Sequence, residues 1–112
     1  MTALNGKTVL VSGATSGLGR SLALQFAQAG CRLALCGRNP EKLKLLVAEL
    51  ALPTDRLLAR AFDLTDHGDA TNFSEEAVRK FGKVDILVNN AGANLAKERI
   101  ESIDLKIFAA ML

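Results

Sequence analysis

The chain has 112 residues, which bounds it to one domain, large enough to bury about two thirds of the surface its extended form exposes. Hydrophobic residues at 49 % and charged residues at 23 % exclude intrinsic disorder. A net charge of +2 on scattered basic residues excludes a nucleic-acid surface, and no apolar run nears the roughly 20 residues of a membrane span.

The first residues carry no signal-peptide pattern, so a cytoplasmic protein is expected. Val9–Ser12 reads as a strand covered on both faces, because its apolar run does not alternate. Directly behind it lies Ser12-Gly13-Ala14-Thr15-Ser16-Gly17-Leu18-Gly19, and then a helix over Leu18–Ala29. Leu22 and Phe26 share a face of that helix, and Gly30 is placed to cap it. A strand, a glycine turn and a helix in that order make a phosphate cradle. Glycine lets the backbone pass close to a diphosphate, while the helix start offers unpaired N–H groups and the positive end of its dipole. The spacing Gly-x-x-x-Gly-x-Gly differs from the commoner Gly-x-Gly-x-x-Gly, and the competing reading is a plain tight turn.

Leu33–Cys36 reads as a second buried strand. Cys31 and Cys36 stand at its two ends on opposite faces, roughly 16 Å apart at about 3.3 Å per residue. They cannot bridge, and reduced buried thiols are expected. Asn39-Pro40-Glu41 announces a second helix: a capping side chain, proline at the first helical position and an acid in the first turn. Leu43, Leu46, Val47 and Leu50 fall at helical spacing, and Pro53 is expected to end the run. Leu57–Asp63 is a third strand, with Arg60 pointing to a sheet edge. His67 has no metal-spaced partners and reads as a loop residue. Phe73, Ala77 and Phe81 mark a third helix closed by Gly82. Val84–Val88 is a fourth strand, and Ile103, Ile107 and Met111 begin a fourth helix. Lys7, Arg20, Arg32 and Lys44 read as solvated surface charges.

Strands alternating with helices imply right-handed crossovers and a parallel sheet. The expected fold is α/β, a partial doubly wound (Rossmann) sheet of strand order 3-2-1-4 with helices on both faces. A ligand then lies at the carboxyl ends of the first and fourth strands, where the order reverses. The glycine turn follows the first of these strands and Asn89-Asn90-Ala91-Gly92 follows the other, so both motifs meet at one crevice.

Together, Ser12–Gly19 and Asn89–Gly92 resemble the short-chain dehydrogenase/reductase family, and Asp63-Leu64 after the third strand matches a further family position. Ser12 departs from the family's usual threonine but keeps the hydroxyl. The resemblance implies that Gly13, Ser16, Gly17, Leu18 and Gly19 cradle the diphosphate and adjoining ribose. It implies that Asp63 accepts from the adenine amino group while Leu64 packs on the ring. Asn90, Ala91 and Gly92 would line the floor, with Asn89 mostly bracing the strand end. For Asn89 and Asp63 the competing reading is that they satisfy local backbone. At the end of the second strand an acid would bond the ribose 2′-hydroxyl of NAD. This chain has Cys36-Gly37-Arg38 instead. Arg38 can fork onto a phosphate, and Lys42 adds a second positive charge one turn into the helix, so NADP (NADPH) is expected over NAD.

The family's chemistry uses a tyrosine with a lysine four positions later, and a phenol of pKa about 10 needs that positive neighbour to work at neutral pH. The sequence contains no tyrosine. A catalytic asparagine is also missing from the expected fourth helix, which ends Ala109-Ala110-Met111-Leu112. The chain therefore reads as the NADP(H)-binding half of an oxidoreductase, cut after the fourth strand and its helix and inactive alone. The alternative is a non-catalytic dinucleotide-binding module. Expected partners are the dinucleotide and, in a complete protein only, a small carbonyl or alcohol substrate. An unpaired edge on the fourth strand and a bare helix face predict self-association.

Overall fold

The apolar run near the N-terminus forms β1 (Thr8–Ser12), every residue of which is buried. The computed structural model describes residues 3–90 and 99–101. After β1 come α1 (Gly17–Gln28), β2 (Arg32–Gly37), α2 (Pro40–Leu50), a 3-10 turn (Thr54–Arg56) and β3 (Leu57–Ala61). Then follow α3 (His67–Phe81), β4 (Ile86–Asn89) and a short β5 (Arg99–Glu101). The expected fourth helix, with Ile103, Ile107 and Met111, and the site candidates Ala91 and Gly92 lie outside the described residues.

Each described α-helix starts where a capping side chain satisfies the free N–H of its third residue. Ser16 Oγ accepts from the Gly19 N–H at 3.1 Å, Asn39 Oδ1 from Lys42 at 3.0 Å, and Asp66 Oδ1 from Asp69 at 3.0 Å. His67 is therefore the first residue of α3 rather than part of a loop, because Asp66 before it is a cap. At its other end α3 closes on Gly82, whose φ of 86° only glycine adopts easily. The second helix stops at Leu50 through Ala51 in the left-handed region, φ 50°, ahead of Pro53.

The sheet order is β3-β2-β1-β4-β5, and the first four strands are parallel, as the alternation of elements implies. Val9, Val11, Leu33 and Leu35 pack under Ala23 of α1 and Leu43, Leu46 and Leu50 of α2. Leu10, Ala34, Leu58 and Leu87 face the other way and pack against Phe73, Ala77 and Phe81 of α3. Cys31 belongs to the first layer and Cys36 to the second; both are buried and free. Burial raises both thiols, Cys36 to about 12, so neither is a ready nucleophile.

Two further expectations need correction. The outer edge of β4 is not bare: β5 pairs with it antiparallel, Leu87 opposite Ile100. The connection over 90–98 is shorter than a parallel crossover needs, so the strand can only run back. Arg32 is not a solvated charge either. It is half-buried at the start of β2, donates to the Gly6 carbonyl at 3.1 Å and lies 5.8 Å from the Phe81 ring centre. Its aliphatic stem packs while its head finds a carbonyl and an aromatic face.

Candidate functional site

Ser12 ends β1 and stands opposite Asn89, the end of β4. Its buried hydroxyl donates to Asn89 Oδ1 at 2.9 Å and accepts the Asn90 N–H at 3.0 Å. From the far side Asn90 Nδ2 reaches across to Ser16 Oγ at 2.7 Å. The glycine turn and the Asn89–Asn90 segment are thus tied directly together, and Asn89 braces the strand end. The Ser12 hydroxyl is the centre of this network.

The turn itself is built on two glycines with different physical needs. Gly13 has φ 65°, and its carbonyl accepts from the Ser16 N–H at 3.2 Å and from Ser16 Oγ at 2.9 Å. Gly19 is packed so closely under the turn that a Cβ would stand 2.1 Å from the Gly13 oxygen. Gly17 is the opposite case, since a Cβ there would meet nothing within 4 Å. The Ala14 N–H donates to the Cys36 carbonyl at 3.0 Å and fixes the turn against the end of β2.

A cleft of about 470 Å³ opens at this end of the sheet. Of the candidates, Gly13, Ser16, Arg38, Lys42, Asp63, Leu64 and Asn90 line it. Gly17, Leu18 and Gly19 stand in the first turn of α1, next to the wall and not part of it; Leu18 is 62 % exposed. Thr15, Gly37, Asn39 and Thr65 also line the cleft and were not singled out from sequence. For Thr15 and Gly37 a signal existed, since each sits inside or beside a motif already read for chemistry.

The cleft is electrostatically two-sided. Arg38 and Lys42 are exposed and belong to no ion pair among the described residues. Asp63 faces them from beyond β3. Its Oδ1 accepts the Thr65 N–H at 2.9 Å and the Thr65 hydroxyl at 2.8 Å, the local backbone role considered for it. Those two bonds, with the Arg38 guanidinium nearby, hold its carboxyl below the usual carboxylate range. Among the described residues no group of His, Cys, Asp and Glu could hold a metal ion, and no helix is long and apolar enough to cross a membrane.

A sequence model of the short chain dehydrogenases matches residues 7–112, nearly the whole chain. The chain belongs to the short-chain dehydrogenase family. It is 47 % identical over 90 residues to dehydrogenase/reductase SDR family member 7B of Bos taurus, covering 75 % of this chain and 28 % of that protein. With the NADPH-dependent pterin aldehyde reductase of Arabidopsis thaliana it shares 37 % identity over 102 residues, 91 % of this chain and 42 % of that one. Among solved structures, 3-ketoacyl-(acyl-carrier-protein) reductase from Brucella melitensis, complexed with NADH, superimposes with a TM-score of 0.68 at 36 % identity. That match covers 76 % of this chain and 34 % of the reductase. The chain thus spans between 28 % and 42 % of the length of these relatives. The doubly wound arrangement inferred from the residues is the one these dehydrogenases share.

Proposed function

We propose that this chain binds NADP(H) in the cleft and forms the cofactor-binding half of an oxidoreductase acting between a carbonyl and an alcohol. The observation that carries the proposal is the facing of two walls. On one side is the glycine turn, where Gly13 and Ser16 line the cleft with the bare backbone of Gly17 beside them, and on the other are Arg38 and Lys42, which have no ion-pair partner among the described residues. The protein's own packing gives no reason for glycine at 17; close approach of a diphosphate gives one. Ser16 Oγ and its carbonyl already serve the N–H groups of Gly19 and Arg20, which leaves those of Gly17 and Leu18 for the anion. Gly13, Ser16 and Gly19 shape the cradle. Asp63 and Leu64 receive the adenine, and Asn90, Ala91 and Gly92 form the floor. Arg38, with Lys42 behind it, takes the 2′-phosphate.

When bound, the nicotinamide supplies or accepts the hydride; the residues of this chain hold and orient it. The NADPH-dependent aldehyde reductase among the relatives supports the cofactor, while the NADH complex of another leaves the 2′ end as the point to test. Two buried, unbridged thiols suit a cytoplasmic setting. A second reading of the same cleft is a dinucleotide-binding module without turnover. Oxidation of NADPH by this chain with a panel of carbonyl compounds would rule the module out.

The deciding measurement is a calorimetric titration with NADPH and with NADH. A charge-assisted contact of about 1.5–3 kcal/mol predicts that NADPH binds on the order of tenfold or more tightly. Arg38→Met should remove most of that preference and leave NADH affinity nearly unchanged. Equal or tighter binding of NADH by the wild type overturns the NADP(H) reading, and no binding of either overturns the site.

A further inference from the structure

Gly37 ends β2 at the place where an acid would read the ribose 2′-hydroxyl of NAD. Its φ is not in the left-handed region, so its backbone conformation would accept any L residue. What stands in the way is Thr15, across the cleft wall. A Cβ on Gly37 would lie 3.0 Å from Thr15 Cγ2 and 3.1 Å from Thr15 Oγ1. The two γ atoms straddle that Cβ. A side chain has three staggered γ positions, and here two face Gly37 while the third faces away. Two heavy atoms cannot share the third position, so every Thr15 rotamer keeps at least one of them against Gly37. Nor can the turn draw back freely, because the Ala14 N–H is bonded to the Cys36 carbonyl at 3.0 Å, immediately beside both residues.

We infer that Thr15 is a specificity-determining residue: its branched side chain keeps the end of β2 free of any acid and leaves the 2′ end of the cofactor to Arg38. This rests on the NADP(H) reading of the cleft. It adds that cofactor choice is set by a pair, and that changing Gly37 alone does not reverse it. Serine at 15 can turn its one γ atom away and alanine has none, whereas valine keeps the threonine shape without the hydroxyl. The shape, not the hydroxyl, is what excludes the acid.

The test is calorimetric titration of NADPH and NADH against the wild type, Gly37→Asp, and Gly37→Asp combined with Thr15→Ala or with Thr15→Val. Thermal melting of each variant reports that it is folded. Gly37→Asp alone is expected to weaken both cofactors, with no gain for NADH. Adding Thr15→Ala is expected to raise NADH affinity on the order of tenfold, the worth of one hydrogen bond to a charged group. Adding Thr15→Val is expected to leave it low. If Gly37→Asp alone binds NADH as well as the combination with Thr15→Ala, or if Thr15→Val restores binding equally, the steric pair is refuted. A wild type that binds neither cofactor overturns the cofactor reading and the selector with it. Should the aspartate variants fail to melt cooperatively, the milder Gly37→Ala gives the same decision. It should lower Tm beside Thr15 and lower it less in the Thr15→Ala background; equal losses refute the pair.

Discussion

Two hydroxyls on β1 show how far the value of a polar group depends on its partners. Thr8 and Ser12 are both fully buried. Ser12 Oγ is engaged on both sides, by Asn89 and by Asn90, whereas Thr8 Oγ1 has no hydrogen-bond partner among the described residues. A buried hydroxyl without a partner forgoes the bonds that water would give it, a loss of about 1–3 kcal/mol. Thr8→Val replaces it with a methyl of the same shape on a strand that favours branched residues, and it leaves the N–H bond to Asp85 untouched. It should therefore raise unfolding free energy by about 1 kcal/mol in urea. Ser12→Ala should do the reverse, lowering stability by about 1–3 kcal/mol, because it strands the Asn90 N–H and Asn89 Oδ1 together. A destabilised Thr8→Val would mean that its hydroxyl is satisfied after all.

Among the elements, those whose signals are local and chemical were legible in the sequence. Asn39-Pro40 marked the start of α2, the apolar run marked β1, and Arg60 marked β3 as an edge strand, which it is. The cleft was legible in part for the same reason, since the glycine turn and the Asn89–Asn90 segment follow the two strands where the order reverses, whereas Asp63 entered only through the family resemblance. What could not be read depended on contacts across the fold. The approach of Thr15 to Gly37, the burial of Arg32 and the pairing of β5 with β4 arise from tertiary placement, which no spacing encodes. The protection of β3 is of this kind. The Phe62 N–H bonds inward to Gly37, so the carbonyls of Leu57 and Ala59, of opposite parity, face outward. Lys80 Nζ donates to the first at 2.8 Å and Arg60 Nη1 to the second at 2.8 Å, with Arg60 itself anchored to Glu76 of α3. Charged caps on an open edge discourage another strand from docking there. Lys80→Met combined with Arg60→Met should increase concentration-dependent association in sedimentation velocity relative to the wild type; unchanged sedimentation would show the caps to be incidental.

For the molecule as a whole, the seam between β1 and β4 matters most, because the crevice opens along it. The seam is fastened at both ends. At the crevice end Ser12 holds Asn89 and Asn90; at the opposite end Asp85 Oδ2 accepts the Thr8 N–H at 2.8 Å, and the Asp85 N–H returns a bond to the Thr8 carbonyl at 2.9 Å. Burial pushes the Asp85 carboxyl up. The Thr8 N–H, the Lys83 ammonium 3.3 Å away and more distant Lys7 outweigh burial and hold it below its ordinary value of 3.8. Lys83 is 68 % exposed, so solvent screens its share and the Thr8 bond is the main support. A carboxylate with a lowered folded pKa stabilises the fold fully above its unfolded value, and that contribution fades as pH falls through the folded one. Asp85→Asn keeps an oxygen to accept the Thr8 N–H and removes only the charge. Near pH 7 the variant should be less stable by about 1 kcal/mol. Below pH 3.8 the difference should shrink, because the wild type loses the charge that the variant never had. Asp63, also lowered, titrates identically in both proteins and cancels from the comparison. Melting curves from pH 7 down to the acid limb measure this directly. Parallel curves would show that the Asp85 charge does not fasten the seam, and would leave the neutral hydrogen bond to Thr8 as the fastening at that end.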